Sequence, residues 1–108
     1  MVEPKNIPRA LRKRGLEEKL QKLCEENDVV FMAIFGSFVR GEQRKRSDVD
    51  LLIRFKKDSG KTLLDVVDIE EKFRRAFGRK VDLVEVEGLN KYIRDEVLDS
   101  MRVIYEER

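Results

Sequence analysis

Residues 29–55 read VVFMAIFGSFVRGEQRKRSDVDLLIRF. The apolar run from Val29 to Phe35 has the length of a strand and no polar break, which suits a central strand buried on both faces. Gly36-Ser37 interrupts it. Residues 37–41 are expected to form a short helix and 42–47 a polar loop. Residues 48–55, DVDLLIRF, then alternate. Val49, Leu51, Ile53 and Phe55 point one way, and Asp48, Asp50, Leu52 and Arg54 the other. The connection is about the minimum for a crossover, so these two strands are expected to be antiparallel neighbours. Aspartate is depleted in strands, and two on one face call for a reason.

The flanking segments extend the pattern. Residues 9–27 read as a helix with Leu16, Leu20, Leu23 and Cys24 on one stripe, ended by Asn27-Asp28. Cys24 on that stripe reads as a core residue, since a free cysteine behaves as a small apolar group. Residues 56–61, KKDSGK, form a turn. Residues 62–77 form a second helix on Val66, Ile69, Phe73 and Phe77, with Gly78 as its C-cap. Residues 80–86, KVDLVEV, are a third strand, and the long connection before it permits a parallel crossover. A last helix spans 90–101, with Tyr92, Ile93, Val97 and Met101 as its apolar positions, and RVIY extends beyond it as a strand or tail. Tyr92 and Tyr105 are expected to be packing groups. The expected fold is a single α/β (α+β) domain over residues 1–108, a small mixed sheet of three to four strands with flanking helices.

Composition narrows the chemistry. Charged residues make up 43 % of the 108 and hydrophobic ones 41 %, too apolar and too periodic for disorder. The net charge of +2 argues against a large nucleic-acid footprint. There is no histidine, which excludes Ser-His-Asp and Cys-His catalysis and imidazole-based zinc sites. A metal would have to be held by oxygen, which points to magnesium, manganese or calcium. A single cysteine allows no internal disulfide. No apolar run approaches the ~20 residues of a membrane span, and the N-terminal segment lacks the apolar core of a signal peptide. A cytoplasmic location is expected.

Three features converge. Gly36 lets a ligand approach the backbone closely, and Ser37 adds a hydroxyl donor. Asp48 and Asp50, two apart on a strand, project the same way about 6.5–7 Å apart. Asp82 is an acidic position among apolar neighbours in the third strand. Gly-Ser alone has an ordinary reading as a turn pair, and Asp-x-Asp alone as a loop residue or cap beside a surface ion pair. If the third strand lies beside residues 48–55, three carboxylates face one spot. Two such charges ~5 Å apart repel by ~3 kcal/mol at an effective dielectric of 20. The trio would need a cation or would keep a proton. Hard oxygen ligands with open positions suit Mg²⁺ carrying substrate phosphates. The chemistry this fits is two-metal phosphoryl or nucleotidyl transfer. Arg40, beside Gly41 and near the Gly-Ser turn, is the best placed of Arg40, Arg44, Lys45 and Arg46 to meet a triphosphate. The other reading of this basic run is a solvated loop.

The segment GSFVRGEQRKRSDVDLLI, residues 36–53, resembles the signature of the polymerase-beta-like nucleotidyltransferase superfamily: Gly-Ser, ten residues, Asp-x-Asp, and a third aspartate on a later strand. Within it the chain resembles the minimal nucleotidyltransferase (MNT) proteins of prokaryotes, over roughly residues 14–105. The resemblance implies that Gly36 and Ser37 hold the nucleotide phosphates, that Asp48 and Asp50 are metal ligands, and that Asp82 is the third catalytic and metal-binding carboxylate. It implies two Mg²⁺ ions, ATP as substrate, and transfer of AMP to a tyrosine of a HEPN-domain RNase toxin. The alternatives are a non-catalytic nucleotide-binding antitoxin acting by contact, and transfer to a small-molecule or RNA acceptor. Antibiotic nucleotidyltransferases, which share the Gly-Ser and Asp-x-Asp elements, add a second domain to enclose the acceptor. Only about twenty residues follow the third strand here, so a protein acceptor ranks above a small one.

Overall fold

The expected central strand is β1, Val29–Phe35, and it lies between two antiparallel partners. On one side is β2, Val49–Phe55; on the other is β4, Arg102–Glu106. Strand β3, Val81–Glu85, adds to the outer side of β2 in parallel, so the order is β3-β2-β1-β4. The computed structural model describes residues 1–107. The third-strand crossover and the antiparallel β1–β2 pair are as the connection lengths suggested, and the RVIY tail is a full fourth strand.

The two faces of the sheet are unequal. Val49, Leu51 and Ile53 of β2 and Val81 of β3 face the larger core, with Leu20 and Cys24 of the helix α1, Leu16–Glu26, and Ile69 and Phe73 of α3, Leu63–Phe77. Ala33 and Leu52 face a smaller cluster closed by Leu89 and by Val97 of α4, Lys91–Ser100. Period two assigns Asp50 and Asp82 to this thinly covered face, since they alternate with the residues of the larger core.

Local chemistry sets the helix ends. Thr62 and Asp65 form a reciprocal capping box at the start of α3: the Asp65 N–H donates to Thr62 Oγ1 at 3.2 Å, and the Thr62 N–H to Asp65 Oδ2 at 2.9 Å. Gly78 closes it in the left-handed conformation. Asn27 ends α1, donating from its side-chain amide to the Leu23 carbonyl at 2.8 Å.

Two expectations are corrected. The first helix does not run from residue 9. Residues Arg9–Leu11 make a 3-10 turn, Arg12 is extended, and α1 starts only at Leu16, after Gly15 at φ 81°. The break lets Ile7 and Leu11 reach the core, and Arg12 fastens the bend by donating to the Ile7 carbonyl at 2.9 Å. The second correction concerns α4. Val97 is buried as expected, but Tyr92 is 86 % exposed and Ile93 43 %. A ten-residue helix resting on a small cluster buries one narrow stripe, and Tyr92 falls outside it. Tyr105, in contrast, is a packing group at 2 % exposure.

Cys24 is fully buried, and burial pushes its thiol up to about 12, which makes it a core residue rather than a nucleophile. Among the described residues no helix is long and apolar enough to cross a membrane.

Candidate active site

The site assembles where β1 ends. Phe35 pairs with Asp50 across the β1–β2 ladder, so the chain leaves β1 beside the Asp50 carboxylate. Gly36 turns there with φ 81° and ψ −149°, a region open essentially to glycine alone. The turn leads into the single-turn helix α2, Ser37–Arg40, held to the core by Phe38. A Cβ on Gly36 would overlap the Asp50 carboxyl group. Glycine is required here twice, for its backbone angles and for the space beside Asp50. Ser37 is half-buried at the mouth of the turn, and its hydroxyl makes no hydrogen bond among the described residues.

Asp50 is matched with Asp82 across the parallel β2–β3 ladder, residue opposite residue. In-register neighbours project to the same side of a sheet, so both carboxylates stand on the face above Gly36. Asp48 precedes β2 by one residue, half-buried, and its charge reaches Asp50. Burial first, then the charges of Asp82 and Asp48, hold the Asp50 carboxyl above its ordinary value; Arg40 offsets this in part. The sequence-predicted residues are thus brought to one place, with Asp82 at its exposed edge.

This shift carries a stability consequence. A carboxyl with a raised value in the fold contributes stability that is complete below its unfolded value, near pH 4, and lost as pH rises through the folded value. Ionised Asp50 therefore opposes folding at neutral pH. Asp50→Asn is expected to raise the melting temperature at pH 7 in the presence of chelator, with the gain vanishing below about pH 3.5. A lower melting temperature at pH 7 would show that the carboxylate has a stabilising partner instead.

The donor set suits magnesium. All three groups are carboxylates, and Asp50 carries a repulsion, only partly offset by Arg40, that a cation would relieve. Among the described residues no group of three or more His, Cys, Asp or Glu side chains is placed to hold a metal ion by itself. Magnesium is commonly held by one or two carboxylates together with substrate phosphates, so an open set fits it better than a closed one.

Arg40 is exposed and directed at this region, but its Nε donates to Glu42 Oε1 at 2.7 Å. Arg44, Lys45 and Arg46 are all exposed. Their loop is pinned by the Arg44 N–H donating to Ser47 Oγ at 2.6 Å and by Arg79 donating to the Lys45 carbonyl at 3.1 Å. A cleft of about 240 Å³ opens beside Asp50, between Gly36 and Arg40 on one wall and α4 on the other. Ile93, Glu96, Val97 and Ser100 form the α4 wall. The sequence reading missed Glu96 and Ser100. The available signal was their place on the Ile93–Val97 stripe, two polar residues at helical spacing among apolar ones.

A strand–Gly-Ser–strand unit with Asp-x-Asp leading into the second strand and an in-register aspartate on the next is the arrangement of a nucleotidyltransferase. The chain belongs to that class: the polymerase beta nucleotidyltransferase family matches residues 18–108. A protein adenylyltransferase, MntA, of Thermococcus cleftensis is 37 % identical over 78 residues, covering 72 % of this chain and 77 % of that protein. A solved structure of a candidate minimal nucleotidyltransferase is 36 % identical with a TM-score of 0.67, covering 82 % of this chain and 88 % of that one. The same fold occurs, at 18 % identity and a TM-score of 0.61, in a complex of tri-AMPylated Shewanella oneidensis HEPN toxin with MNT antitoxin, covering 84 % of this chain and 70 % of that one.

Proposed function

We propose that this nucleotidyltransferase moves AMP from ATP onto a tyrosine hydroxyl of a HEPN-domain toxin, with Mg²⁺ as cofactor. The observation that carries the reading is the Asp50–Asp82 register beside the Gly36 turn. The naming of a 37 % identical relative as a protein adenylyltransferase supports the acceptor class. The MNT-like signature, together with the shared fold of the antitoxin complex, supports the partner.

In this reading Asp48 and Asp50 would hold magnesium at the nucleotide, with Asp82 on the acceptor side. When bound, the ion neutralises phosphate charge and lowers the proton affinity of a hydroxyl beside it. Gly36 lets the phosphate chain lie against the backbone, Ser37 donates its hydroxyl, and Arg40 exchanges Glu42 for a phosphate oxygen. Asp82, on the exposed edge strand, receives the incoming tyrosine and orients its hydroxyl at the α-phosphorus. The tyrosine hydroxyl gives up its proton to solvent as its oxygen forms the new bond to the α-phosphorus, the bond from the α-phosphorus to the oxygen bridging to the β-phosphate breaks, and pyrophosphate leaves. The division of roles makes Asp82→Asn distinctive: nucleotide affinity within about twofold of the parent while transfer is lost. Calorimetry beside a transfer assay separates the two, and equal loss of binding and transfer would contradict the assignment.

The test of the whole reading is mass spectrometry of the toxin after incubation with ATP, Mg²⁺ and sub-stoichiometric amounts of this protein. Additions of AMP mass on tyrosine are expected. Neutralisation only at one-to-one ratio, with no mass change, would identify a contact-acting binding protein.

A further inference from the structure

The cleft wall formed by α4 has no role in the phosphate and metal chemistry, yet it is built at helical spacing. Ile93, Glu96, Val97 and Ser100 recur at three- and four-residue intervals, so they share one face. From Ile93 to Ser100 the wall runs about 10 Å along the helix axis, which is the span of a nucleoside with one phosphate. Facing it are Gly36, Arg40 and Asp50.

Strand order decides which substrate enters. Asp82 belongs to the edge strand β3, on the opposite side of β2 from β1. The cleft is lined from β1, α2, β2 and α4, with no contribution from β3 among the described residues. An acceptor hydroxyl that must reach Asp82 comes from the β3 edge. The β1 side remains for the nucleotide that supplies the transferred group.

Resting on the nucleotidyltransferase reading, we propose that α4 reads the nucleoside: Glu96 accepts hydrogen bonds from the ribose hydroxyls, and Ile93 packs against the base. Glu96 is the only acidic residue on that wall, and its carboxylate makes no hydrogen bond or ion pair among the described residues. Arg40 is the cation whose field it shares. A carboxylate can only accept hydrogen bonds, so it cannot serve the phosphates and must meet donors. The vicinal 2′- and 3′-hydroxyls are the paired donors of a ribonucleotide, and a carboxylate on a ribose hydroxyl is a recurring solution in dinucleotide folds. Ile93 at 43 % exposure offers an apolar surface that a base would cover. Glu96 is then the residue that separates ribonucleotides from deoxyribonucleotides.

The experiment is calorimetry with Mg²⁺ and four ligands: ATP, 2′-deoxyATP, 3′-deoxyATP and inorganic tripolyphosphate. The parent protein is expected to bind ATP about tenfold more tightly than either deoxynucleotide, the lower end for a hydrogen bond to a charged, exposed group. Glu96→Ala should bind all three nucleotides alike, no more tightly than the parent binds either deoxynucleotide. Ile93→Ser should weaken the nucleotides and leave tripolyphosphate unchanged. Both sites are on the helix surface, and circular dichroism confirms that the variants fold. Equal binding of ATP and the deoxynucleotides by the parent overturns the proposal, as does discrimination that survives in Glu96→Ala. Failure of the parent to bind any of the four ligands would remove the nucleotidyltransferase reading itself, and this proposal with it.

Discussion

Asp50→Asn is expected to reduce AMP transfer by a thousandfold or more, while the folded protein becomes more heat-stable at neutral pH. Both effects have one source. Asp50 is the carboxylate with neighbours on every side: Gly36 below it, Asp82 beside it in register, and Asp48 two residues before it. Without a cation these charges repel, and burial adds to the cost of ionising Asp50. Under the proposed function the same concentration of charge would bind magnesium together with ATP. A metal acting on phosphoryl chemistry is worth several kcal/mol of transition-state stabilisation, and each 1.36 kcal/mol is tenfold in rate, which gives the factor of about a thousand. Transfer measured with labelled ATP, beside thermal melts with and without Mg²⁺, tests both halves. Activity within tenfold of the parent would remove Asp50 from the metal site.

Gly36→Ala is expected to reduce transfer about a hundredfold with only a modest loss of stability. The methyl group would need backbone angles that cost a non-glycine residue roughly 1–3 kcal/mol, and it would displace the Asp50 carboxyl group. A displacement of about 1 Å at a reacting centre can cost a hundredfold in rate. Because the steric conflict is with a side chain rather than with packed backbone, the core beneath need not move. Gly41→Ala is the control: Gly41 also has positive φ, at 73°, but a Cβ there meets nothing within 4 Å. It should melt a few degrees lower and keep its transfer rate. Equal activity losses in the two variants would show that backbone strain, not the approach to Asp50, is what matters at Gly36.

Much of this site could be read in one dimension because its logic is periodic. Asp48 and Asp50 lie two apart, and the side a residue faces is a property of the strand alone. Asp82 needed one more step, the parallel pairing of β3 on β2, which the long 56–79 connection made the natural choice. Its exact match with Asp50 is a matter of register, set by how Val81 and Val49 meet the shared core. Contributions from the far side of the cleft were not readable. Glu96 and Ser100 belong to a helix placed by Leu89 and Val97 on a small apolar cluster, and nothing near them in sequence names Gly36 or Arg40 as their neighbours. The N-terminal segment misled for a different reason. The stripe of Leu16, Leu20, Leu23 and Cys24 reads as extending back to residue 9, but Leu11 lies five residues before Leu16, off that stripe, and Gly15 lets the chain turn so that both enter the core. Tyr92 looked like a core residue because aromatic residues generally are, but α4 is too short and too lightly covered to bury it.

The solitary thiol of Cys24 turns the molecule into its own clock. It sits at 0 % exposure between α1, the sheet and α3, and its proton is held so firmly that the reactive thiolate is scarce while the fold is closed. Alkylation must wait for the core to open. With reagent in excess and closing fast, the labelling rate is the intrinsic rate multiplied by the fraction of time the core stands open. One mass shift per molecule then reports that open fraction without any engineered probe, and saturating ATP and Mg²⁺ should slow labelling by the factor by which they favour the closed state.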